Sequence, residues 1–166
     1  MTFKASVLAG LLGVLLTTNA LIAQKEQVLR SGEQVLMPLT PVDPRSLIQG
    51  DYMALRYDVG AVEGDLGEGS PRDGFLVVQI DKDRVGRAVR VDRGEALLPG
   101  ELRMKFRRRG GQLKIGAEAY HFQEGQAAVF EGAKFGELRV STQGEVVLVG
   151  LCDQARGRLM AGPPPR

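Results

Sequence analysis

A long uncharged run at the N-terminus limits what the chain can fold into. Residues 5–24, ASVLAGLLGVLLTTNALIAQ, carry no charge between Lys4 and Lys25. A helix rises about 1.5 Å per residue, so about 20 residues reach across a hydrocarbon core of about 30 Å. The apolar side chains run all round such a helix instead of forming one stripe, which argues against a core helix of a soluble domain. Thr17, Thr18 and Asn19 weaken the run locally without breaking it. Two readings remain. One is an uncleaved anchor. The other is a cleaved signal peptide, with Lys4 as the charged region, residues 5–16 as the apolar region and a cut after Ala20. Leu21-Ile22-Ala23 resume the apolar run and favour the anchor.

The expected organisation is therefore a membrane anchor or signal peptide over 1–24, an extracytoplasmic β-domain over 25–158, and a disordered proline-rich tail over 159–166. Lys4 precedes the span and Lys25 and Arg30 follow it, so the basic-residue rule does not orient it. Short N-terminal anchors usually leave the following domain outside. The expected location is a single span in a bacterial inner membrane with the C-terminal domain in the periplasm. The alternative is secretion to the periplasm after signal cleavage.

Beyond residue 25 the pattern is one of strands and turns. The chain has 22 glycines, costly inside helices and useful in turns. EQVLMPL (33–39) reads as a first strand that Pro38 shortens or confines to an edge. KEQVLRSG (25–32) extends the helix about two turns, with Gly32 as its cap. Asp43 and Pro44 have the types of an N-cap and first helical residue, and residues 44–49 read as one helical turn closed by Gly50. DYMALRYDV (51–59) then alternates as a nine-residue strand with Met53, Leu55, Tyr57 and Val59 inward. Asp51 sits at the mouth of that face, with Arg45 as its expected ion partner. Residues 60–73 are glycine-rich and acidic and read as a flexible loop. GFLVVQI (74–80) and GRAVRV (86–91) form a hairpin across DKDRV. Residues 136–151 form a last hairpin turning near TQG.

Gly110-Gly111 is a two-residue hairpin turn, which pairs Arg108 with Leu113, Phe106 with Ile115 and Met104 with Ala117. One face then carries Leu102, Met104, Phe106, Leu113 and Ile115. The other carries Arg103, Lys105, Arg107, Arg109 and Lys114, the alternation of an antiparallel sheet with one solvated face. That basic face suits anionic lipid headgroups beside the anchor, a polyanion or an acidic partner, or simply solvent. No aromatic residues interleave with it, so it offers nucleic acid no stacking platform. The expected fold is mainly β, an N-terminal transmembrane helix followed by a small antiparallel β-sandwich or partly open barrel.

A resemblance rests on these residues. Gly50-Asp51-Tyr52-Met53-Ala54-Leu55-Arg56-Tyr57 reads GDY-x-x-L-x-Y, and the chain resembles the bacterial GDYXXLXY family named after it. PVDPRSLIQGDY (41–52) is similar to that family's extended signature, and GAEAYHFQEG (116–125) to its second block. Its hallmark positions here are Pro41, Asp43, Pro44, Arg45, Gly50, Asp51, Tyr52, Leu55, Tyr57, Glu118, Tyr120, Glu124 and Gly125. His121 before Phe122, and Gln123 where a proline is common, depart from its pattern. The resemblance implies a small membrane-associated protein with no activity to carry over.

No P-loop or dinucleotide fingerprint occurs. One cysteine, Cys152, and one histidine, His121, exclude an internal disulfide and supply too few ligands for a zinc site. No metal or cofactor is expected. SGEQVLMPL (31–39) is faintly similar to the serine box of signal peptidases, but Ser31 comes two residues too early and no lysine stands out as its base. The expected function is a non-enzymatic accessory or partner of another membrane protein. The alternative is a small-ligand or anion-binding domain, or a hydrolase, centred on Arg45, Asp51, Tyr52 and Glu118.

Overall fold

The computed structural model describes residues 2–40, 52–64, 66, 71–160 and 162. Helix α1, Thr2–Ser31, is continuous. Its segment Lys4–Ser31 is long and apolar enough to cross a membrane, and the rest of the chain covers none of its apolar window. Thr17, Thr18 and Asn19 do not interrupt it because each donates back to a carbonyl one turn earlier, those of Gly13, Val14 and Leu15. Polar side chains satisfied in this way are compatible with an apolar medium.

The last turn of α1 belongs to the domain. Val28 is buried, and the Gly32 N–H donates to the Val28 carbonyl at 2.9 Å. Gly32 caps the helix as expected, but through close approach rather than a left-handed backbone. A Cβ there would lie 2.4 Å from the Val28 oxygen and 3.1 Å from the Val140 backbone. The chain passes into strand β1, Glu33–Pro38, with no linker.

Three antiparallel sheets follow. Strands β2 (Tyr52–Ala54) and β7 (Ala119–His121) form a two-stranded ribbon. The second sheet is ordered β4-β3-β5-β6, built from β3 (Asp73–Ile80), β4 (Gly86–Val91), β5 (Glu101–Arg109) and β6 (Gln112–Ile115). The third is ordered β1-β8-β9-β10, where β8 is Phe135–Val140, β9 is Val146–Cys152 and β10 is Arg158–Leu159. Pro38 ends β1 at the edge of its sheet, as its missing N–H requires.

The core lies between the two four-stranded sheets. Val35 and Met37 of β1 with Leu138, Val140 and Leu151 meet Leu76, Val78, Met104, Phe106 and Ile115 from the other sheet. Each such side chain contributes about 1.5–3 kcal/mol by leaving water. The sheets are also stitched by backbone. Leu36 N–H donates to Arg84 oxygen, and Lys105 N–H to Gly144 oxygen, each at 2.8 Å. The result is a sandwich partly closed into a barrel, the mainly β fold with an N-terminal apolar helix that the pattern predicts.

The β5–β6 hairpin has the expected register for Arg108–Leu113 and Phe106–Ile115. Gly110 and Gly111 both take positive φ, as their turn requires. Met104 does not pair with Ala117. β6 stops at Ile115 because Gly116, at φ +59°, turns the chain away, and the Lys105 amide is given to Gly144.

Two further expectations need correction. The nine-residue strand 51–59 has its predicted inward face, with Leu55, Tyr57 and Val59 buried, but is regular only over Tyr52–Ala54. The segment changes partners. Leu55 N–H bonds to Glu118 oxygen, whereas Arg56 oxygen accepts from Thr40 and Asp58 N–H donates to Pro38. Residues 60–73 are not one loop. Helical turn α2, Gly60–Glu63, buries Val62 completely, and its Glu63 carboxylate accepts the Leu113 N–H at 2.9 Å. Asp73 already belongs to β3.

At the C-terminus Leu159 lies in β10, and the buried Gln126 donates to the Gly162 carbonyl. Ala161 and residues 163–166, most of the expected tail, lie outside the described residues. So do the predicted turn 44–49 and the Arg45–Asp51 pair.

Gly86 starts β4 at a point where a Cβ would come within 2.6 Å of Val35, 2.8 Å of Met37 and 2.9 Å of Val78. All three side chains are fully buried in the shared core. Gly86→Ala therefore overpacks the core and destabilises the fold by about 1–3 kcal/mol, which thermal and urea unfolding of the detergent-solubilised full chain would read as a lowered midpoint.

Candidate functional site: a ribbon and a charged face

The segments 52–57 and 118–125 lie far apart in sequence and meet in the fold. β2 and β7 pair Tyr52 with His121, Met53 with Tyr120 and Ala54 with Ala119. The ribbon ends where Leu55 N–H takes the Glu118 carbonyl. On one side Tyr120 packs on Phe130, ring centroids 5.2 Å apart, and Phe122 stacks on the same ring at 4.9 Å. Phe130 comes from a helical turn, α3, Ala127–Phe130, whose aromatic side chain is buried. Tyr52 and His121 form a tilted pair at 5.7 Å, with His121 exposed.

A family model described as GDYXXLXY protein matches residues 14–151. The chain belongs to the GDYXXLXY family. No match was found among curated proteins or solved structures. The two blocks that carry the family resemblance are thus hydrogen-bonded partners in one ribbon.

The hallmark residues divide by environment. Leu55 and Tyr57 are buried in the core. The Tyr57 ring needs a glycine beside it at position 136, where a Cβ would lie 2.8 Å from its Cε1. Among the described residues nothing hydrogen-bonds that hydroxyl, and burial raises its pKa above the ordinary phenol value. Glu118 pairs with Lys114 at 3.4 Å. Glu124 and Gly125 are exposed, and Gly125 takes φ +81°. Tyr52 is half-buried. Pro41, Asp43, Pro44, Arg45, Gly50 and Asp51 lie outside the described residues.

The predicted basic face is present, with most of its charges answered locally. Arg103 donates to Asp92 and to the Glu95 carbonyl. Lys105 meets Glu145 at 3.0 Å, and Arg107 meets Asp73 loosely at 3.8 Å. A related pair missed from sequence lies beside it. Arg90 grips Glu101 through both oxygens and also reaches Glu95 at 3.1 Å. The acids Asp92, Glu95 and Glu101 sit in or next to the β4–β5 connection, so this network fastens that connection to the sheet. An alternating strand pattern does not report it, because the partners come from a turn without periodicity.

Other candidates have structural positions. The Ser31 hydroxyl donates to the Gln27 carbonyl within α1. Cys152 is buried, and desolvation raises its thiol pKa. Among the described residues no group of three or more His, Cys, Asp or Glu side chains is arranged to hold a metal.

Tyr57→Phe removes a buried hydroxyl that has no partner among the described residues, so it should stabilise the fold by about 1 kcal/mol, measured by urea unfolding at neutral pH. Because the folded pKa of Tyr57 is raised, its proton-linked stability is complete below about pH 10 and is lost as pH rises beyond that. The Phe variant should lose less stability on alkaline titration. Glu101 behaves oppositely. Its hydrogen bond with Arg90 lowers its pKa to about 2 from 4.5, so the stability it contributes is present above pH 4.5 and is lost as pH falls from there towards 2. Glu101→Gln should lower the melting temperature at neutral pH and flatten its decline in acid.

Proposed function

We propose that this protein is a non-enzymatic, membrane-anchored accessory subunit whose β-domain lies outside the cytoplasm, in the periplasm of a bacterium, and partners another membrane protein. The observation that carries this reading is the linkerless, hydrogen-bonded junction at the end of α1. An uncovered apolar helix long enough to span runs without a linker into β1. Buried Val28, the Gly32 cap and the Arg139–Gly32 carbonyl hydrogen bond of 3.1 Å lock the two together. A tethered enzyme gains from a flexible leash that lets it search. A domain fixed at one height and orientation suits docking on a neighbour held in the same membrane.

The carboxylates also favour a binding role. Glu118, Asp92, Glu101 and Glu145 each face an Arg or Lys, whereas acid–base catalysis needs groups poised on a substrate. The alternative centred on Arg45, Asp51, Tyr52 and Glu118 loses support from the engagement of Glu118 with Lys114.

The test is a pull-down from native membranes in mild detergent, using a C-terminal tag and comparing wild type with Asp51→Ala at equal abundance. The expected result is an intact chain that resists alkaline extraction and retains one specific membrane protein, lost or much reduced with the variant. A chain shortened at Ala20, or wild type and variant both without a partner while folded, would overturn the reading.

A further inference from the structure

We propose that the cleft between the end of α1 and the β5–β6 hairpin binds the phosphate of an anionic lipid headgroup. This rests on the reading of α1 as an uncleaved span. Lys25 is the first charge after the apolar run 5–24, and a lysine there keeps its ammonium at the boundary of hydrocarbon and headgroups. Its ammonium lies 3.5 Å from Glu145, whose other oxygen takes Lys105 of β5 at 3.0 Å. The two contacts bring the tip of the β8–β9 hairpin and the middle of β5 to the level of Lys25.

At that level opens a cleft of about 310 Å³, at the lower end of the size range of ligand sites, about 300–1,000 Å³. Lys25, Lys105, Arg107, Arg109 and Lys114 line it, against the two carboxylates Glu118 and Glu145, an excess of three positive charges. Glu145 is shared between two lysines and Glu118 is engaged by Lys114. The guanidinium groups remain. Among the described residues Arg109 makes no ion pair. Among the same residues Arg107 has only its exposed contact with Asp73, and such pairs hold little energy. Two guanidinium forks on alternate positions of one strand suit phosphate oxygens, which they can meet in bidentate fashion. Free phosphate has the same chemistry. The height of the cleft favours the lipid, because an anionic leaflet concentrates that group where the cleft opens.

The test uses the full chain in a non-ionic detergent, titrated with short-chain phosphatidylglycerol, short-chain phosphatidylcholine or inorganic phosphate, with binding read by native mass spectrometry and thermal shift. Phosphatidylglycerol should bind about tenfold or more tightly than phosphatidylcholine. Arg107→Gln with Arg109→Gln should abolish most of that preference and leave the phosphatidylcholine value unchanged. Arg87→Gln, an exposed substitution on β4 away from the cleft, should change neither. Equal affinity for the two lipids overturns the proposal, as does a preference that survives the double substitution. Inorganic phosphate as effective as the lipid overturns the lipid assignment in favour of a free anion. Intact mass separates the two failures. A chain beginning after Ala20 removes the span and this inference together, whereas an intact chain without lipid preference removes this inference alone.

Discussion

The close approach of backbone to backbone at Gly32 is the constraint on which the architecture depends. A side chain there would meet the carbonyl that ends α1 and the strand that receives β1. With glycine, the helix stops and the first strand begins within one residue, and the orientation of α1 is passed directly to the sheet β1-β8-β9-β10. That sheet in turn supplies half of the shared core. Helix and domain are coupled because only Gly32, packed against the backbone of Val28 and Val140, lies between them.

From that junction the two sheets depend on one another through backbone as well as side chains. β1 sits at the edge of its own sheet and still contacts the other, through Leu36 and Arg84. The opposite corner is closed by Gly144, whose left-handed backbone also places it against the Phe75 ring, where a Cβ would lie 2.9 Å away. An open sandwich leaves edges to pair with other chains. Stitches at two corners, with charged residues along β5, reduce that exposure.

Some of this is legible in the sequence alone, for physical reasons that differ by segment. The β5–β6 hairpin was readable because alternation and a glycine pair specify register together, and both act locally. The inward face of 51–59 was readable because side-chain period does not depend on which strand is opposite. The break in its hydrogen bonding was not, since the change of partner from Glu118 to Thr40 and Pro38 involves backbone groups that every residue carries. Val62 was hidden by its surroundings, one of three scattered apolar residues in a glycine-rich acidic run. The pairing of the two family blocks could be suspected from neither block alone, because a three-residue ribbon has no periodicity of its own.

The charged surface shows why composition is a poor guide to such a chain. A net charge of +2 hides a sheet face on which positive residues alternate from Arg103 to Arg109. Arg103 and Lys105 are answered by acids drawn from the β4–β5 connection and from the tip of the β8–β9 hairpin, whereas Arg107 has only a loose, exposed contact with the start of β3. Folding therefore sorts the cations. Arg103 is spent on fastening a connection, whereas Arg107 and Arg109 are left near the end of the helix that would meet the membrane. A solvated face kept basic merely to discourage edge pairing would have no reason to concentrate its uncompensated charge there. The concentration follows if the membrane itself is the surface that this side of the domain has to meet.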